Sequence, residues 1–127
     1  MTDKTVLQRF QAKAGDGVAL VVADDDDRAL LGVLPEGATE AAVADAAVVA
    51  TVVRTRDELL ARYAEQLPVA TGARAVWVVY PKGGRADVNR DVVAGEARTY
   101  GWRGVSNIAV DETWSAVRVR PLKDGEE

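Results

Sequence analysis

The stretch Ala75-Val-Trp-Val-Val-Tyr-Pro-Lys-Gly-Gly84 decides the fold. The run from Ala75 to Tyr80 is apolar without interruption. A strand of that kind is buried on both faces, and such strands belong to parallel α/β sheets. Pro81-Lys-Gly-Gly84 stops the strand and leaves Lys82 in the loop beyond its carboxyl end. That edge is where ligands of open α/β sheets collect.

Working outward, Ala46 to Val53 and Val18 to Ala23 repeat the unbroken apolar pattern and predict two further buried strands. Helices are expected between them. Asp24 to Asp27 opens a short helix carrying Leu30 and Leu31, stopped by Gly32 and Pro35. Thr55-Arg-Asp-Glu58 matches the capping box, in which the two side chains satisfy each other's orphan amides. Leu59, Leu60, Tyr63 and Leu67 follow at helical spacing, and Pro68 ends that helix. Asn89 is an N-cap for a helix bearing Val92, Val93, Ala97 and Tyr100, closed by Gly101. Ahead of the first strand, Val6, Leu7 and Phe10 predict a leading helix over Thr5 to Ala14. A weak edge strand is expected from Thr39 to Val43, since alanine is a poor strand former.

The end of the chain differs. Gly104 to Val110 and Ser115 to Arg120 are expected strands separated only by the turn Asp111-Glu-Thr113. So short a connection demands antiparallel pairing, so the last strand should run against the others. The expectation is an α/β, three-layer Rossmann-like sandwich with a mostly parallel sheet ending in an antiparallel hairpin. Residues 1–127 are expected to form one domain, with 123–127 a solvated tail.

Composition bounds the chemistry. A chain of 127 residues, 48% hydrophobic, can bury a core without disulfides or metals. It has no cysteine, so thiolate metal sites and cysteine nucleophiles are excluded. It has no histidine, which removes the side chain most used for proton transfer near neutral pH. A general base would have to be a carboxylate, a lysine or a tyrosine. The net charge of −4, without a basic block, argues against nucleic-acid binding. Met1 to Thr5 lacks the pattern of a secretory signal, and no apolar run reaches the ~20 residues of a membrane span. A cytoplasmic protein with no membrane association is expected.

Three blocks resemble a bacterial family catalogued as domain of unknown function number three thousand and fifty-two. They are Val52-Val-Arg-Thr-Arg-Asp-Glu-Leu-Leu60, then Val76 to Gly83 continuing through Asn89-Arg-Asp-Val-Val93, then Ala109-Val-Asp-Glu-Thr-Trp-Ser-Ala116. The resemblance implies a Rossmann-like fold and no particular activity. The strand layout is similar to that of class I methyltransferases, with one departure. Those enzymes follow the first strand with a glycine-rich loop that approaches S-adenosylmethionine. Here Val21-Val-Ala-Asp-Asp-Asp-Asp-Arg28 holds no glycine, and its side chains and carboxylates would crowd and repel that cofactor. No cofactor is therefore expected.

The expected carboxyl edge gathers Asp24 to Asp27, Arg54, Arg56, Lys82, Arg85 and Asp111 to Trp114. One reading is a small-ligand site: Lys82 and an arginine hold an anionic group, Asp111 accepts a hydrogen bond, and Trp114 stacks. The other is an ion-pair network that fastens the sheet edge, with Trp114 packed in the hairpin. The Asp24–Asp27 run complements a helix dipole, and no metal site is expected there. Arg118 and Arg120 share one face, either solvated or a dimer contact. The leading expectation is a non-enzymatic ligand-binding, regulatory or interaction module with a protein partner or a second copy. The alternatives are a small enzyme acting on an anionic metabolite through Lys82 and Asp111, and a structural partner subunit.

Overall fold

The structure is a computed structural model and describes residues 5–83, 86–123 and 125. Its strands are β1 (Gly17–Val21), β2 (Thr39–Glu40), β3 (Val48–Val52), β4 (Ala75–Pro81), β5 (Trp102–Ala109) and β6 (Trp114–Pro121). Its helices are α1 (Val6–Arg9), α2 (Asp25–Leu31), α3 (Arg56–Gln66) and α4 (Arg90–Arg98). Among the described residues the strands form one sheet in the order β2-β1-β3-β4-β6-β5. β2, β1, β3 and β4 pair in parallel, and β6 runs antiparallel to both of its neighbours. The hairpin therefore folds back so that its last strand inserts beside β4.

Both faces of the sheet are covered, which is why β3 and β4 are apolar throughout. Val48, Ala50, Val52, Ala75, Trp77 and Val79 pack toward Leu7, Phe10 and Leu31, on the side of α1 and α2. Val49, Val53, Val76, Val78 and Tyr80 pack toward Leu59, Tyr63, Val93 and Ala97, on the side of α3 and α4. Trp77 is a core residue. Its ring stacks on Phe10 at 4.6 Å, and its indole N–H donates to the Phe10 carbonyl at 3.0 Å. Trp102 is buried as well.

α1 is shorter than the expected helix over Thr5 to Ala14. Thr5 and Gln8 form a reciprocal capping box at its start. Its end is a Schellman closure: Gln11 N–H donates to the Gln8 carbonyl and Ala12 N–H to the Leu7 carbonyl, each at 3.0 Å. The left-handed position falls on Gln11, with φ of 78°, and an apolar period cannot reveal a stop made without glycine. β2 also stops early, at Glu40, because a 3-10 turn begins at Val43. The hairpin strands run longer than expected, and a bulge between Gly104 and Ser106 takes Val105 out of the ladder.

A left-handed backbone costs a residue bearing a side chain about 1–2 kcal/mol. Glycine would restore about 0.4–1 kcal/mol of unfolded-chain entropy. Gln11→Gly is therefore expected to raise stability by about 0.5 kcal/mol, seen as a Tm higher by a few degrees. An unchanged or lower Tm would contradict that balance.

At the amino edge of the sheet, Asp16 Oδ2 lies 2.6 Å from Arg74 Nη2 and accepts the Lys13 amide at 3.0 Å. The Arg74 hydrogen bond, opposed by burial and helped by the Lys13 amide, holds the Asp16 carboxyl below its ordinary value. A lowered folded pKa gives stability that is complete above the unfolded value of about 3.9 and is lost as pH falls through the folded value. Arg74→Gln should lower stability near neutral pH and flatten its loss below about pH 4. Parallel acid limbs in urea titrations of the two proteins would refute this.

Candidate functional site

From β1 the chain moves to β2 on one side, and β3 then lies on the other side of β1. The switch point of the sheet is thus the crevice between the carboxyl ends of β1 and β3, the default ligand position of an open α/β sheet. Side chains from the two helix starts that follow β1 and β3 pair with one another at this crevice.

Asp24 is the N-cap of α2, and its Oδ1 accepts the Asp27 amide at 2.9 Å. Asp27 Oδ2 reaches back to the Ala23 amide at 3.2 Å. The Asp27 side chain is wholly buried, and its Oδ1 faces Arg54 Nη1 as an ion pair. That oxygen has no aligned hydrogen bond, so the arginine charge is what compensates it. Arg54 follows β3, remains 41% exposed, and lays its guanidinium 5.2 Å from the ring centroid of Trp114 at the start of β6. Asp27, Arg54 and Trp114 thereby tie α2, the β3–α3 loop and the hairpin together across the crevice.

The start of α3 repeats the same device. Thr55 Oγ1 accepts the Glu58 amide at 3.1 Å, and Glu58 Oε1 accepts the Arg54 amide at 2.7 Å. The expected capping box is thus displaced by one residue on its return leg, because Arg54 rather than Thr55 donates to Glu58. Arg54 links the two helix starts, with its amide on Glu58 and its guanidinium on Asp27.

The remaining candidates divide. Lys82 lies one residue past β4, and its amide donates to the Thr113 carbonyl at 2.9 Å. Lys82 lines a cleft of about 550 Å³ with Pro81, Gly83, Glu112 and Thr113. Among the described residues the Lys82 ammonium has no ion-pair partner. Gly83 takes φ of 99°, a conformation that favours glycine. Asp111 shapes the hairpin turn: its Oδ1 accepts the Thr113 and Trp114 amides, each at 2.8 Å. Arg56 turns toward α4, with its amide on Asp87 Oδ1 at 2.8 Å and Nη2 on Glu96 Oε1 at 2.9 Å. The Glu96 hydrogen bond raises the Arg56 pKa further. Arg85 lies outside the described residues.

The structure thus brings Arg54 to Trp114, and Lys82 to the turn that Asp111 holds, while Arg56 belongs to the α3–α4 contact. Sequence reasoning missed Asp27 as the partner of Arg54. The available signal was the spacing Asp24-x-x-Asp27, which is a capping pattern with a carboxylate at its third helical position. Among the described residues no group of three or more carboxylates is arranged to hold a metal ion.

Comparison with known proteins supports the fold alone. No protein-family model matches the chain, so the resemblance to the domain of unknown function gains no support there. No curated protein matches it either. Among solved structures, a protein of the NADB-Rossmann superfamily from Streptococcus agalactiae superposes with a TM-score of 0.57 at 8% identity, over 97% of this chain and 71% of that one. Sp1610 of Streptococcus pneumoniae, whose proposed activity is that of a tRNA (m1A22) methyltransferase, superposes with a TM-score of 0.50 at 12% identity, over 93% of this chain. The chain spans 58% of the length of Sp1610. The fold is a Rossmann-like α/β fold of the methyltransferase-like kind. Among the described residues no helix is long and apolar enough to cross a membrane.

Removing one partner of a buried pair strands the other charge. For fully buried pairs the cost is about 3–5 kcal/mol. With Arg54 half exposed, Arg54→Met is expected to cost about 2 kcal/mol in urea unfolding. Asp27→Asn combined with Arg54→Met should recover most of that loss, since no buried charge remains. A double variant as unstable as the sum of its singles would contradict the coupling.

Proposed function

We propose that this protein is a non-enzymatic binding or regulatory module built on a methyltransferase-like scaffold and working in the cytoplasm. The observation that supports it is the Asp27–Arg54 ion pair at the switch point, with the Arg54 guanidinium against Trp114. A dinucleotide or S-adenosylmethionine at that position would have to displace a wholly buried carboxylate that also caps a helix start.

The ligand position this reading favours is the neighbouring cleft at the end of β4. Lys82 offers a cationic group there, and the Gly83 backbone allows close approach. A small anionic molecule suits that pairing, with Glu112 at the rim selecting against bulky polyanions. The catalytic alternative draws less support, because Asp111 Oδ1 already accepts two turn amides.

Thermal unfolding against S-adenosylmethionine, nucleotides, phosphorylated and carboxylated metabolites tests the reading. A ligand at 100 times its Kd adds about 2.7 kcal/mol, or several degrees of Tm for a domain of this size. The expected result is a shift from a small anion that disappears in Lys82→Ala while the ligand-free variant keeps its Tm. A shift from S-adenosylmethionine that survives Lys82→Ala, or steady turnover of any substrate, would overturn it.

A further inference from the structure

At the end of β4 the ladder with β6 continues one residue past Pro81, because the Lys82 amide donates to the Thr113 carbonyl at 2.9 Å. That bond brings the loop after β4 against the turn between β5 and β6. The turn carries two neighbouring carboxylates with different duties. Asp111 Oδ1 accepts the Thr113 and Trp114 amides and is committed to holding the turn. Glu112 is exposed, and among the described residues its carboxylate has no ion-pair partner.

Lys82 and Glu112 line the same cleft of about 550 Å³. They carry opposite charges on adjacent stretches of chain, yet no ion pair joins them. The arginines of this edge are used within the chain, Arg54 by Asp27 and Arg56 by Glu96. The cleft is thus left with one cation and one anion, each without a partner among the described residues. Both side chains are long enough to turn into the space between them.

A single exposed ion pair is screened by water and holds a ligand weakly. A ligand that meets both charges gains its second contact inside a complex already formed. The same two charges set selectivity. A phosphate or dicarboxylate placed on Lys82 is repelled by Glu112, whereas an ammonium group on the ligand is attracted by it. The cleft volume lies in the range of small-molecule sites, and Pro81 offers apolar surface to a carbon skeleton. We propose that the cleft binds a small amino acid as its zwitterion, with the carboxylate on Lys82 and the ammonium on Glu112. This rests on the reading of the Lys82 cleft as the site of a small anionic molecule, and specifies the anionic group as the carboxylate of a ligand without net charge.

Isothermal titration calorimetry of the full chain with glycine, alanine, β-alanine and γ-aminobutyrate tests the proposal, beside acetate and inorganic phosphate. At least one of the four zwitterions is expected to bind at least tenfold more tightly than acetate or phosphate. Its N-acetyl derivative keeps the carboxylate alone and its carboxamide keeps the ammonium alone, and each should bind at least tenfold more weakly. Glu112→Gln should weaken the zwitterion at least tenfold and leave the N-acetyl derivative unchanged, while Lys82→Ala weakens both. The ligand-free variants should keep their Tm. Acetate, phosphate or the N-acetyl derivative binding as tightly as any zwitterion, unaffected by Glu112→Gln and lost in Lys82→Ala, would overturn the proposal and leave the anion reading of Lys82 standing. Zwitterion binding that survives Lys82→Ala, or binding by none of these compounds, would overturn both.

Discussion

A carboxylate sealed inside a protein must be paired or hydrogen-bonded, and Asp27 answers that requirement with the Ala23 amide and Arg54. Much of the carboxyl edge follows from it. The ion pair fixes the direction of Arg54, which then presents its guanidinium to Trp114. Trp114 is held for that contact by the Asp111 turn, whose carboxylate takes the Trp114 amide. The α3 start depends on the same residue, because the Arg54 amide is the group Glu58 accepts. A charge buried at the switch point thus organises two helix starts and one hairpin, at the place where related folds are open to ligand.

The fold was legible where burial on both faces leaves a simple trace. Val18 to Ala23, Ala46 to Val53 and Ala75 to Tyr80 hold the three central parallel strands, since each must be apolar on both sides. The Thr55 and Asn89 caps marked their helices because a hydroxyl or amide side chain at that position has a local reason to be there. What failed was what local chemistry does not encode. Gln11 ends α1 in a left-handed turn usually given to glycine, and the bulge at Val105 leaves no periodic mark.

The site was legible by type and less so by partnership. Topology alone brings Arg54, Lys82, Asp111 and Trp114 to one edge, and the structure places them there. Which of them touch is decided by side-chain direction, and a sequence does not show that Arg56 leans to Glu96 while Arg54 leans to Asp27. The ion-pair reading of the charged edge describes Arg54 and Asp111, and the ligand reading now rests on Lys82. Arg54 and Asp111 fasten the edge, and Lys82 remains available beside them.

The central claim is that the Asp27–Arg54 ion pair bars the crevice between β1 and β3 to ligand, and that ligand contact lies at the end of β4. Amide chemical shifts from nitrogen-15 spectra, recorded with millimolar S-adenosylmethionine and then with small anionic metabolites, test it most directly. The account predicts no movement over residues 22–27 or at Arg54 with S-adenosylmethionine, and movement at Lys82, Gly83 and Thr113 with an anion that binds. Shifts concentrated at residues 22–27 and Arg54 with S-adenosylmethionine would show that the ion pair opens to admit the cofactor, and would contradict it.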